Sequence, residues 1–168
     1  MKPALLVIDM QNKFFELGPA FKQSLEEATE YINAAITLFR ERNLPIFVIE
    51  HSDKENGLIP GTPEFPTHES IILASTDVRI TKTYGNSFTK TALAERLKES
   101  GIDTLIITGF CAEYCVLSTY RGAQDNDFKS FILRGSLASD NREHIRFVEE
   151  ISELVSYEAL RLLLSTLT

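Results

Sequence analysis

The sequence predicts an α/β fold: a doubly wound, Rossmann-like, mainly parallel sheet of about five or six strands with helices on both faces. Short apolar runs of strand length alternate with longer segments whose apolar residues recur at helical spacing. The runs at 4–8 and 45–49 are apolar throughout, as in strands buried on both faces. No repeat, low-complexity tract or linker divides the 168 residues, so one domain over 1–168 is expected.

Residues 4–8 (ALLVI) form a first buried strand, being too short for a helix and rich in strand formers. Phe21, Leu25, Ala28, Ile32, Ala35 and Phe39 follow at three and four residue spacings, one apolar helical stripe. Residues 45–49 (PIFVI) give a second strand. Residues 52–76 contain Pro60, Pro63 and Pro66 and little periodicity, so they read as a long loop of a kind that is often functional. A third strand is expected at 77–81, then a helix over about 89–100, with Gly101 placed where a helix end wants positive φ. Residues 104–108 (TLIIT) are the clearest strand. A helix over about 113–125 follows, with Val116, Thr119, Tyr120 and Ala123 on one face. Residues 128–133 form another strand, Ile145, Val148 and Ile151 mark a helix, and 154–167 hold a short edge strand and a last helix.

Composition excludes several classes of function. Lys and Arg are scattered and the formal charge is −7, which argues against a nucleic-acid binder. No apolar run approaches the roughly 20 residues that span a bilayer. The opening MKPALLVIDMQ has Asp9 inside its apolar stretch and no small-residue cleavage site, so no signal peptide is expected. Cys111 and Cys115 suit neither a secreted disulfide framework nor a zinc site, and a reducing cytoplasm is the expected location.

Ligands bind such sheets beyond the carboxyl ends of the strands. Asp9 ends the first strand, Lys82 the third, and GFCAEYC at 109–115 follows the fourth. Taken singly, each has a plainer explanation: a cysteine as a small hydrophobe, an aspartate as a cap, a lysine as a solvated charge. Their joint placement on one rim favours a site. Cys115 falls in the first turn of a helix, where the positive helix end, Lys82 and a nearby base favour the attacking thiolate. Asp9 is then the general base that takes the thiol proton and returns it to a leaving group, and Lys82 stabilises carboxylate and thiolate. Backbone N–H groups of the 109–115 turn offer an oxyanion hole. The Cys111 thiol reads as structural.

Three segments carry a resemblance. VIDMQNKF at 7–14 resembles a D-x-Q-x-x-F opening. KTYGNSF at 82–88, with Thr91 and Leu93, resembles K-x-x-x-S-x-F…T-x-L. GFCAEYCV at 109–116, with Thr119 and Ala123, resembles G-x-x-T-E-x-C-V…T…A. In this order they resemble the isochorismatase-like cysteine hydrolases, relatives of nicotinamidase and N-carbamoylsarcosine amidase, over nearly the whole chain. The resemblance implies a thioacyl-enzyme mechanism at an amide or ureido C–N bond of a small molecule, with Asp9, Lys82 and Cys115 catalytic. It also implies a cis peptide at Phe110-Cys111 and oxyanion donors at the backbone N–H groups of Cys111 and Cys115.

Departures are few. Ala112 replaces the motif's usual threonine, and Gly135-Ser136 stands where Asp-Ala commonly closes the fifth strand. Isochorismatases proper resemble this fold but lack the cysteine, so Cys115 argues for amide rather than vinyl-ether cleavage. Nicotinamidases carry a D-x-H…H metal site; here His51, Asp53 and His68 follow the inverted order, so no metal or other cofactor is expected, with these three the candidates if one binds.

Other strand-end aspartates transfer phosphoryl groups, but the second Asp of the haloacid dehalogenase pattern is Gln11, and the phosphorylated Asp of a receiver domain would fall at Lys82. No nucleotide-binding glycine motif is present. A hydrolase of another bond and a catalytically silent small-molecule-binding module of the same fold stay open as alternatives. Phe14, Tyr84, Phe88 and Tyr114 are candidates to line an apolar, planar pocket, which core packing would explain equally well. Leu160, Leu162, Leu163, Leu164 and Leu167 exceed what one buried stripe requires. With dimers and larger assemblies common in the resembled family, a homo-oligomer (dimer or tetramer) is expected.

Overall fold

The apolar run near the N-terminus becomes β1 (Pro3–Ile8), whose every residue is buried because it is central in the sheet and sends alternate side chains into a core on each face. In the computed structural model, which describes residues 1–167, β1 lies between β2 (Ile46–His51) and β4 (Thr104–Phe110). β3 (Val78–Lys82) continues one edge; β5 (Lys129–Ala138) and the short β6 (Leu154–Val155) continue the other. The order is β3-β2-β1-β4-β5-β6 and every pairing is parallel. The six-stranded α/β sheet expected from the sequence is therefore observed.

Helices cover both faces. On one lie α2 (Pro19–Arg40) and α6 (Tyr157–Ser165), which bury Leu25, Ala28, Ile32, Ile36, Phe39, Leu160 and Leu164 in one core. On the other lie α3 (Leu93–Glu99), α4 (Leu117–Asp125) and α5 (Arg142–Glu150), which bring Leu93, Leu97, Tyr120, Ala123 and Val148 into a second. Each large aliphatic or aromatic side chain so buried contributes about 1.5–3 kcal/mol. The short α1 (Asn12–Phe15) follows β1, and one π-helical turn (Ala112–Val116) precedes α4.

Several boundaries differ from the expectation. The helix expected from about residue 89 starts only at Leu93, since the Thr91 hydroxyl bonds the Ser87 carbonyl and holds the chain in turns. The helix expected from 113 divides into the π turn and α4. β5 runs on to Ala138 across a register shift opposite Ile107 and Gly109, with Gly135 at φ +84°. Gly135 thus lies inside the strand rather than closing it, and a side chain there would strike the Tyr31 ring.

Two details position the site. The order reverses direction between β1 and β4, the crevice where ligands of doubly wound sheets bind. Gly109, at φ +120° in β4, lies so close to β1 that a Cβ would fall on the Ile8 backbone. Buried Gln11 fastens the long loop: its amide donates to the His51 and Phe65 carbonyls at 3.0 and 2.7 Å, and its oxygen accepts from His51 N–H at 2.7 Å.

Candidate active site

Asp9 and Lys82 leave their strands at the crevice, and the turn after β4 delivers Cys115. Lys82 is the hub. Its Nζ lies 2.8 Å from Asp9 Oδ2, 3.3 Å from Cys115 Sγ, 3.1 Å from His51 Nδ1 and 3.1 Å from the Tyr84 carbonyl. An Asp9 carboxylate oxygen, a His51 ring nitrogen and Cys115 Sγ all fall within 4.8 Å of one another. Asp9 Oδ1 is buried with no hydrogen-bond partner among the described residues, a vacant acceptor beside the thiol. At Asp9 the backbone takes a left-handed turn (φ 51°), which aspartate tolerates better than most residues.

Burial governs the protonation states. It raises the Asp9 carboxyl against the pull of Lys82. Burial and the Asp9 charge push the Cys115 thiol up to about 12, so the resting sulfur carries its proton. The helix end and Lys82 favour the attacking thiolate but do not offset lost solvation and a neighbouring carboxylate at rest, so sulfur needs a base such as Asp9 to become the nucleophile. Burial, then Lys82, lowers His51, which is neutral near pH 7 and accepts from the ammonium through Nδ1.

A second network anchors the turn. Glu113 Oε2 accepts from Cys111 Sγ at 3.1 Å, and Oε1 accepts from Ser139 Oγ at 3.1 Å and His144 Nδ1 at 2.6 Å. Burial works to raise the Glu113 carboxyl, but these donors outweigh it and hold it below the ordinary range. Asn141 caps α5 through its oxygen, so its amide faces His144 Nε2 at 3.2 Å, which leaves the proton on Nδ1 for Glu113. The Cys111 carbonyl accepts the Tyr114 and Val116 N–H groups, both at 3.1 Å, and the Phe110-Cys111 peptide is cis.

A cavity of about 660 Å³ opens over this floor, walled by Phe14, Leu17, Phe21, Phe110, His51 and Cys115 among others. Another, about 390 Å³, lies under α6 and offers Arg134 as the one ionisable side chain among the described residues that line it, which does not suit acid–base work.

Residues 3–152 match the family model of the isochorismatase domain. The chain belongs to the isochorismatase family of hydrolases. It is 31% identical over 140 residues to the isochorismatase family protein YrdC of Bacillus subtilis, covering 82% of this chain and 74% of that one. Maleamate amidohydrolase of Pseudomonas putida is 24% identical over 162 residues, 84% of this chain and 76% of that one. Among solved structures, an isochorismatase-like hydrolase from Alkaliphilus metalliredigens superposes with a TM-score of 0.88 at 24% identity, over 97% and 99% of the two chains. N-carbamoylsarcosine amidase from Thermoplasma acidophilum gives 0.81 at 21%, over 94% and 98%.

Not every expected lining residue of this isochorismatase-family site reaches the cavity. Phe14 and Tyr114 line it. Phe88 instead stacks on Phe128, with centroids 5.8 Å apart, in the core beneath α3 and α4. The Tyr84 ring faces Lys90 outside the cavity, and only its carbonyl serves the site. Ala112 is buried in the same core as Phe88, packing where the motif usually has a hydroxyl.

His51, Asp53 and His68 do not gather into a metal site among the described residues. Asp53 closes its own turn by accepting from Asn56, and His68 stacks on Phe15 with Nδ1 on Ser70. Asp9, His51 and Cys115 are close enough to share an ion, but the Lys82 ammonium already contacts all three. A metal does not suit this donor set. The sequence reading missed the Glu113–His144 couple; Glu113 sits in a quoted motif, whereas nothing local to His144 marks it.

Proposed function

We propose that the chain hydrolyses an amide or ureido C–N bond of a small molecule, with Cys115 as nucleophile. The observation that carries this is the buried Lys82 ammonium touching Asp9 and Cys115 at once. Asp9 takes the thiol proton, and sulfur attacks the carbonyl carbon while Lys82 steadies the charge passing between thiol and carboxylate. The oxyanion accepts from the backbone N–H groups of Cys111 and Cys115. As the intermediate collapses, Asp9 returns the proton to the departing nitrogen and the C–N bond breaks, leaving a thioester. Water, deprotonated by Asp9, attacks that carbonyl; the S–C bond breaks, sulfur regains the proton and the acid leaves. The names of the maleamate amidohydrolase and N-carbamoylsarcosine amidase support the C–N reading. A panel of primary amides, ureido acids and nicotinamide, assayed with the wild type and Cys115→Ala, tests it. Turnover that the variant retains would end the assignment.

Self-association is part of the proposal. Leu160 and Leu164 are buried under α6, whereas Leu162 and Leu163 remain 59% and 48% exposed on its outer side. Covering that side would bury apolar surface against a second copy. Light scattering at micromolar concentration checks this, and a mass near 18.9 kDa would refute it. The two free thiols favour a reducing compartment, cytoplasmic by proposal, and no helix among the described residues is long and apolar enough to cross a membrane. A small-molecule substrate, rather than nucleic acid, is the proposed partner.

A further inference from the structure

The charges on the cavity wall are unequally committed. Asp53 accepts from the Glu55 and Asn56 N–H groups at 3.1 and 3.3 Å and from the Asn56 amide at 2.6 Å. Glu113 already accepts from three donors. His51 faces Lys82, and both ring nitrogens of His144 have partners. Asp140 is exposed, with the Ser139 hydroxyl at 3.5 Å. Lys13 is different. It lines the same cavity from α1 and is half-buried, yet among the described residues its Nζ has no carboxylate within 4.0 Å and no hydrogen-bond acceptor. Its neighbours on that wall include Phe14, Leu17 and Phe21. A cation beside apolar side chains attracts an anion more strongly than one in open water.

We propose that Lys13 receives an anionic group on the acyl side of the substrate, so that the preferred substrates are amides whose acyl part bears a carboxylate. This rests on the reading of Cys115 as nucleophile. The amide carbon meets sulfur at the buried end, while the carboxylate is held by the one cation of the wall that nothing else among the described residues engages. Exposed Asp140 is the competing charge; were it the recognition group, the site would select an ammonium instead.

Two alkylating reagents that differ in charge test the idea without knowledge of the substrate. With each, the sulfur displaces iodide and forms an S–C bond. The second-order rates of iodoacetate and iodoacetamide at Cys115, resolved from Cys111 by peptide mass spectrometry, give a ratio. Lys13→Met should lower the iodoacetate-to-iodoacetamide ratio by about threefold or more at low salt, and Lys13→Glu further. Lys22→Met, on the exposed side of α2, should leave it unchanged. As a second measurement, kcat/KM for succinamate should exceed that for butanamide and 3-aminopropanamide, and Lys13→Met should raise KM for succinamate. A ratio indifferent to Lys13, or a preference for 3-aminopropanamide, overturns the inference and leaves the nucleophile standing. Absence of labelling at Cys115 by either reagent overturns the nucleophile and the inference with it.

Discussion

Lys82 Nζ sits 2.8 Å from Asp9 Oδ2, with the two side chains 0% and 2% exposed. Neither charge has water to fall back on, so each depends on the other. Removing one partner of such a pair typically costs about 3–5 kcal/mol, because a buried charge is left without compensation. Asp9→Asn and Lys82→Met should each lower stability by that order and turnover by orders of magnitude. The double variant should recover part of the stability and none of the turnover. Urea unfolding and steady-state assays separate the two effects, and full activity in either single variant would remove both residues from the mechanism.

The raised Cys115 thiol sets a pH signature. Its folded value, about 12, exceeds the ordinary 9.0, so the stability it contributes is complete below 9.0 and lost as pH climbs toward 12. Alkylation by iodoacetamide should accordingly keep rising from pH 7 to 10. A plateau below pH 8 would reveal a resting thiolate. Asp9, raised above 3.8, must be ionised to accept the proton, so kcat/KM should fall on the acid side through a value higher than that.

Substitutions at the two cysteines should differ sharply. Cys115→Ala should abolish turnover and keep the fold, alanine being small and a good helix former. Cys111→Ser should be mild, because a hydroxyl can still donate to Glu113 where the thiol now does. Circular dichroism with turnover measures both, and equal losses at the two positions would point to a paired-thiol function.

Glu113 should report on the turn that carries the nucleophile. Its carboxyl is held below the ordinary 4.5, so its contribution is present above that value and lost as pH falls through the folded one. Glu113→Gln places an amide among three donors and should cost about 1–3 kcal/mol at pH 7. The difference from wild type should shrink below pH 4.5. A gap that stays constant from pH 7 to 3 would refute the charge-based account.

Much of the fold and part of the candidate site were legible in the sequence. The apolar run at β1 and the largely apolar one at β4 mark central strands, and in a parallel sheet that places Asp9 and the 109–115 turn at one crevice. Lys82 follows from the same rule at β3. What lay beyond reach depends on irregular backbone. Phe88 sits among turns where no periodicity tells inside from outside, and it packs on Phe128 across the fold. Tyr84 contributes a carbonyl, which no side-chain reading can foresee. Glu113 and His144 meet across 31 positions because α5 returns over the end of β4, a matter of tertiary geometry. How far the Cys115 thiol is raised lay beyond reach for a related reason: burial is a property of the folded surroundings, and charges alone do not convey it.

The close approach of Gly109 to Ile8 bears on how this protein can change. The strand ends that present Asp9 and the Cys115 turn meet across a single hydrogen atom, at a φ of +120° that only glycine adopts freely. A library that randomises every position around the cavity should return glycine alone at 109, whatever activity is selected. Variation is free to accumulate on the open wall, where Leu17 and Tyr114 are 48% and 67% exposed and hold up little of the core. New specificities in this lineage should therefore arise from the wall facing solvent, on a floor that cannot drift.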